Sequence, residues 1–179
     1  AAWAFTVAAL LWVYLGIQKG QVTQDGLTGL NNRLRLDQYM WELDERNGER
    51  ETCCYLLMDV NKFKKVNDTY GHVTGDEVLR LVAEQLKRTF GNMQAFLARY
   101  GGDEFVVIVK GKTQDEMDVI IHQTQENVNA IAWGADTPWQ LSISIGCAMR
   151  GEQGKQKSHE LLALADERMY RQKKGIQDR

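Results

Sequence analysis

The sequence predicts an α+β domain in which a central, mostly antiparallel sheet is flanked by helices. Three observations predict it. Strand-like apolar runs and amphipathic helical stripes follow one another in the order helix, strand, two helices, strand hairpin, helix, strand, helix. The run Ala95–Ala98 and the run that opens at Phe105 meet around Gly101-Gly102, the pattern of a hairpin and so of antiparallel pairing. Thr52–Val60 (TCCYLLMDV) is continuously apolar until its closing acid, as a central strand buried on both faces would be.

Composition bounds the function. The chain has 179 residues, enough for one domain with a sizeable core plus an appendage. Hydrophobic residues make up 44% and charged residues 26%, which is the balance of a globular protein. A single proline and no low-complexity segment argue against disorder. A net charge of −2 without a basic run gives no reason to expect a nucleic-acid polymer as partner. Cys53, Cys54 and Cys147 are odd in number, lack CxxC spacing and sit in apolar runs, so they read as reduced buried thiols of a cytoplasmic domain. His72, His122 and His159 are scattered and form no ligand pair.

Residues 1–17 (AAWAFTVAALLWVYLGI) carry no charge. That is the short limit for a membrane span, which takes about 20 residues. Trp12 and Tyr14 suit an interfacial belt, and Lys19, Arg33 and Arg35 follow on what would be the cytoplasmic side. A signal peptide fits less well, since no basic stretch precedes the run; a buried or dimer-packed helix is the plainer alternative. The expectation is the end of a transmembrane helix over 1–17, a linker over 18–24 and one domain over 25–179. The chain does not begin with Met, which reads as a fragment or a processed chain.

Asp25 to Arg33 (DGLTGLNNR) is turn-rich, and Leu34, Tyr39, Met40 and Leu43 then give a helical stripe ending near Asn47-Gly48. Asp59 closes the strand run; a carboxylate there is held rigidly at the sheet edge and suits a metal ligand, although strand-ending acids are common. Thr74 with Glu77, and Thr113 with Glu116, have capping-box spacing. Val78, Leu79, Val82, Ala83, Leu86 and Phe90 form a core stripe after the first box. Met117, Ile120, Ile121, Thr124 and Val128 form one after the second, over about 114–131. Trp139–Met149 (WQLSISIGCAM) alternates partly and is β-branched, hence a strand. Ser158 is placed to cap a last helix with Leu161, Leu162, Ala165 and Met169 inward. At the hairpin, Gly101 and Gly102 can take positive φ, which predicts a sharp turn, and they leave N–H groups open to a phosphate. A turn has no need of Asp103 and Glu104 at its tip.

The stretch RYGGDEF (99–105) resembles the signature of the GGDEF-domain diguanylate cyclases. Other segments resemble that family in the correct order. DGLTGLNNR is similar to its DxLTGLxNR opening, and Asp59 to Asp76 to its D-x-D-x-FK-x-x-ND-x-x-G-H-x-x-GD pattern. SISIG is similar to its strand before the last helix, and Ala165 to Lys173 to its closing AD-x-x-x-Y-x-x-K. The resemblance spans residues 25 to 173. Asn61 departs from it, standing where a second Asp is frequent but not at the usual metal position. The family closes near GRNR, whereas this chain reads Lys174-Gly175-Ile176-Gln177-Asp178-Arg179, so the phosphate-binding arginine is replaced or out of register and its role is not carried over.

The resemblance implies a palm-like nucleotidyl-cyclase fold. It implies condensation of two GTP into cyclic di-GMP with release of pyrophosphate, by a homodimer of facing domains that depends on Mg²⁺, or Mn²⁺ in its place. Asp59 and Asp103 become metal ligands with the Val60 carbonyl, and Glu104 a further ligand or the group that helps deprotonate the 3′-hydroxyl. Lys64 and Lys173 fall to the triphosphate, with Gly101 and Gly102 at the hairpin. Asn67 and Asp76 fall to the base, and Phe63 is a further substrate-binding residue. A carboxylate can accept both the N1–H and the exocyclic amine of guanine, and adenine would leave it unpaired. Together with the apolar N-terminus, this implies an inner-membrane protein with its catalytic domain in the cytoplasm. Two other readings compete: a module that holds nucleotide without turnover, and a membrane-anchored dimerisation element. The first is expected to have lost the hairpin acids; the second has no need of Asn67 and Asp76 at that spacing. The inhibitory RxxD motif that many members carry ahead of the hairpin is replaced here by Asn92 and Ala95.

Overall fold

Cys53–Val60 (β1) is buried along its whole length, because it lies inside the sheet and is covered on both faces. The computed structural model describes residues 3, 5–8, 10–12, 23–46, 52–133, 139–150 and 156–177. The elements are α1 (Arg33–Glu45), β1, α2 (Phe63–Tyr70), α3 (His72–Phe90), β2 (Ala95–Arg99), β3 (Glu104–Lys110), α4 (Gln114–Asn129), β4 (Ile143–Met149) and α5 (Ser158–Gln177). The sheet order is β2-β3-β1-β4, antiparallel throughout. The α+β architecture and element order match the expectation from sequence.

Strand side chains alternate between faces, and here each face has its own core. Cys54, Leu56, Met58 and Val60 join Phe105, Val107 and Val109 under α2, α3 and α4. Cys53, Tyr55 and Leu57 join Val106 and Ile108 under α1 and α5. Asp59, two residues beyond Leu57, therefore emerges on the α1/α5 face at the strand's end, 6% exposed. The expected stripe from Val78 to Phe90 is buried, and the cysteines are free thiols, two buried and Cys147 half-buried.

Two caps differ from expectation. The Thr113–Glu116 box forms reciprocally at the start of α4. Thr74 does not start α3, which begins at His72; its hydroxyl donates to the Tyr70 carbonyl at 3.0 Å. Gly71, at φ 84°, turns the chain straight from α2 into α3, a left-handed conformation that glycine takes without penalty. Ser158 is the first residue of α5, yet its hydroxyl lies against Asp44 Oδ1 (2.7 Å) and Tyr55 Oη (2.8 Å). Arg150 Nη2 also donates to Asp44 Oδ1, at 2.7 Å. This network ties α5 to α1 and β1. Burial pushes the Tyr55 hydroxyl up to about 12, so it remains neutral.

The segment expected to end a transmembrane helix lies partly outside the described residues. Those described between 3 and 12 are helical and exposed. Among the described residues no helix is long and apolar enough to cross a membrane. Of the expected linker, residues 18–22 also lie outside the described residues.

Candidate active site

The β1–β3 register places Asp59 opposite Glu104, at the same end of the sheet. Directly opposed side chains share a face and stand about 5 Å apart at Cβ. Asp103 precedes Glu104 in the hairpin turn, and its carbonyl accepts from the Val60 amide at 3.1 Å. Three acids from two strand ends thus share one corner. Lys173, from the last turns of α5, donates to Asp59 Oδ1 at 2.7 Å.

The electrostatics follow from this crowding. Burial pushes the Asp103 carboxyl above the ordinary range, and the Asp59 charge adds to that push. Glu104 is raised by burial first, then by Asp59, Asp103 and Asp166. Lys173 opposes both shifts without cancelling them. The site is short of positive charge, as a corner built to receive a cation would be. Its donors are hard oxygens, which suit a Mg²⁺-type ion. Among the described residues no three His, Cys, Asp or Glu side chains are gathered into a cage for an ion. Ions of that type are usually held by one or two carboxylates together with substrate phosphates, so Asp59 and Asp103 fit without a cage.

The hairpin differs from the sharp turn expected. β2 and β3 are in register at Arg99 and Phe105, and neither Gly101 nor Gly102 has a positive φ. A Cβ at 101 would lie 2.5 Å from Glu104 Oε2, the end of a flexible side chain, so glycine there leaves that carboxylate its position. Arg99 holds the loop's shape: its Nη2 donates to the Gly102 carbonyl at 2.7 Å, and its Nη1 to the Asp25 carboxylate at 3.2 Å. Burial works against the Asp25 charge, but hydrogen bonds from Thr28 and Arg99 outweigh it and hold the carboxyl below its usual range. No motif in the sequence predicts this staple. Asp25 and Arg99 both lie in the recognised motifs, but 74 residues apart, and spacing alone cannot pair them.

A second cluster lies on α2 and α3. Asn67 Oδ1 is buried without a hydrogen-bond partner. It faces Gly75, where any Cβ would collide with it and would also lie 3.2 Å from Phe63 Cζ. The next residue, Asp76, is exposed, as is Lys64. Glycine at 75 thus leaves the space that Asn67 Oδ1 fills, with Phe63 beside it, and Asp76 follows on α3. On the other side of Glu104, Arg33, Tyr100, His159 and Asp166 line a cavity of about 370 Å³. Its proximity to Glu104 was not foreseen either.

Comparison with known proteins agrees with this geometry. The family described as "Diguanylate cyclase, GGDEF domain" matches residues 22–179. The chain is 34% identical over 161 residues to the diguanylate cyclase DosC of Escherichia coli, covering 86% of this chain and 34% of that one. It is 28% identical over 167 residues to the diguanylate cyclase DgcP of Pseudomonas aeruginosa, covering 93% and 25%. The chain thus spans about a quarter to a third of the length of these curated relatives. Among solved structures it resembles the coiled coil and GGDEF domain of DgcB from Caulobacter crescentus, in complex with c-di-GMP. That match has a TM-score of 0.80 and 27% identity, and covers 96% of this chain and 92% of that one. With the hairpin acids, the opposed Asp59 and the family match over nearly its whole length, the chain belongs to the GGDEF-domain family of diguanylate cyclases.

Proposed function

We propose that this chain is a catalytic GGDEF domain that joins two GTP molecules into cyclic di-GMP and releases two pyrophosphates. The observation that carries the reading is the opposition of Asp59 and Glu104, with Asp103 beside them, at one end of the sheet. Each 3′-hydroxyl attacks the α-phosphorus of the other GTP. A P–O bond forms, the bond to pyrophosphate breaks, and the hydroxyl proton leaves to a base.

Asp76 accepts the guanine N1–H and amine, and Asn67 offers its unpartnered Oδ1 to the base. Lys64 and Lys173 neutralise the triphosphate as mobile point charges. Glu104, whose carboxyl is held above the ordinary range, is suited to take the 3′-hydroxyl proton. Asp59 and Asp103, with the Val60 carbonyl, would hold a Mg²⁺ ion, which would supply charge neutralisation at the phosphates. One domain holds one GTP and the product is two-fold symmetric, so turnover takes a homodimer of facing domains. The uncharged residues 1–17 support attachment to the inner membrane, with the domain in the cytoplasm.

Incubating the purified chain with GTP and MgCl₂, then identifying products by mass spectrometry, tests the reading. Cyclic di-GMP and pyrophosphate in a 1:2 ratio are expected. GTP retained without turnover would instead indicate a binding module.

A further inference from the structure

Among the described residues β4 is an edge strand, paired with β1 on one side only. Unpaired edge groups normally need covering, and here side chains of two helices cover them. Gln125 Nε2, from α4, donates to the Ile143 carbonyl at 3.2 Å. From α5, Gln172 Oε1 accepts from the Ile145 amide at 2.6 Å, and Arg168 Nη1 donates to the Cys147 carbonyl at 2.7 Å. Residues 143, 145 and 147 are the alternate positions whose backbone groups face away from β1, so the three side chains follow the free edge in step. Gly146 lets α5 approach closely, because a Cβ there would collide with the Ala165 carbonyl and the Met169 amide.

Gln172 immediately precedes Lys173. The amide it holds belongs to Ile145, which is opposite Met58; the next pair along is Asp59 and Ser144. One turn of α5 is therefore fixed at two points, by Gln172 on the sheet edge and by Lys173 on Asp59. We propose that Gln172 is a positioning residue for the nucleotide site: by accepting the Ile145 N–H it sets the reach of Lys173 to Asp59 and to the triphosphate. Its consequence for nucleotide rests on the function proposed above; its action on Lys173 does not.

The test uses the 179-residue chain in a double-mutant cycle of unfolding equilibria, combining Gln172→Met with Asp59→Asn. Met keeps the length of Gln but lacks an oxygen acceptor. If Gln172 acts through the Lys173–Asp59 pair, the two losses are non-additive by about tenfold in the unfolding constant. Additive losses would show that Gln172 only covers the edge, and would overturn the proposal. Gln172→Glu, which keeps an oxygen acceptor, should restore slow hydrogen exchange at the Ile145 amide; exchange as fast as in the Met variant would also count against it. If Gln172→Met does not fold, Gln172→Asn takes its place in the cycle. Affinity for a non-hydrolysable GTP analogue should fall several-fold in Gln172→Met, with no further loss in a Lys173→Met background. Non-additive stability in a chain that binds no GTP analogue would retain the positioning role and refute the proposed function.

Discussion

Lys173 Nζ donates to Asp59 Oδ1 at 2.7 Å, joining the last turns of α5 to the end of the central strand. The Asp59 side chain is 8% exposed and that of Lys173 is 28% exposed, so the pair is mostly shielded but not dry. Removing one partner strands the other. Asp59→Asn should therefore lower stability by about 1–3 kcal/mol, discounted from a fully buried pair because water still reaches Lys173. In a chain of this size that is a fall of about 2–10 °C in Tm. Adding Lys173→Met should recover part of the loss. A double variant as unstable as the sum of the singles would mean that the pair is not coupled.

The two hairpin acids should behave in the opposite way. Asp103 and Glu104 have folded-state carboxyls raised by burial and by Asp59. An acid with a raised folded pKa binds its proton more tightly in the native state. Its contribution to stability is full below the unfolded pKa and is lost as pH rises through the folded value. In chelator and without nucleotide, Asp103→Asn or Glu104→Gln should therefore raise Tm at neutral pH and flatten the fall of Tm between the ordinary carboxylate range and neutrality. Wild-type stability should rise on adding Mg²⁺, and much less so in Asp103→Asn. Thermal denaturation across pH, with and without metal, reads all of these outcomes; a lower Tm for both neutral variants would contradict the crowded-acid account.

Base choice should rest on the α2–α3 residues. Asp76→Ala should weaken GTP binding by about 1–3 kcal/mol, the usual cost of unpaired polar groups, with a smaller effect on residual ATP binding. Gly75→Ala should weaken it as well, because the new Cβ takes the space of Asn67 Oδ1. Calorimetric titrations with both nucleotides would decide this, and equal losses for GTP and ATP would mean that Asp76 does not read the base.

Product control should be weak at the loop before β2. Asn92 lacks the charged fork that clamps a phosphate, and Ala95, the first residue of β2, has no polar side-chain atom. Progress curves should not flatten as micromolar cyclic di-GMP accumulates, the range in which a site of about −8 kcal/mol fills. Strong non-competitive inhibition, with product located beside Asn92, would contradict this.

Much of this fold was legible because its signals are local. The unbroken apolar run of β1, the Val78–Phe90 stripe and the Thr113–Glu116 box each depend on residues a few positions apart. Thr74 and Ser158 misled for the same reason: each has a good local cap signal. A left-handed Gly71 had already started α3 before Thr74, and the half-buried Asp44–Tyr55–Arg150 network draws the Ser158 hydroxyl away. The site acids were legible as motifs. What the motifs left unseen is tertiary: Arg99 stapled to Asp25, Asp166 acting on Glu104, and Gln172 on the edge of β4. Each joins elements far apart in the chain, and no spacing rule reports that. Gly101 is a mixed case, since glycine is expected there for its dihedral freedom and instead leaves room for the Glu104 carboxylate.

The central claim is that the acids at the ends of β1 and β3 act together on GTP. Quantifying cyclic di-GMP made by wild type and by Asp103→Asn, side by side with GTP and Mg²⁺, tests it most directly. The account predicts product from wild type and a loss of about a hundredfold or more in a variant that remains folded, the scale seen when one preorganised electrostatic group is removed. Near-normal synthesis by Asp103→Asn would contradict it.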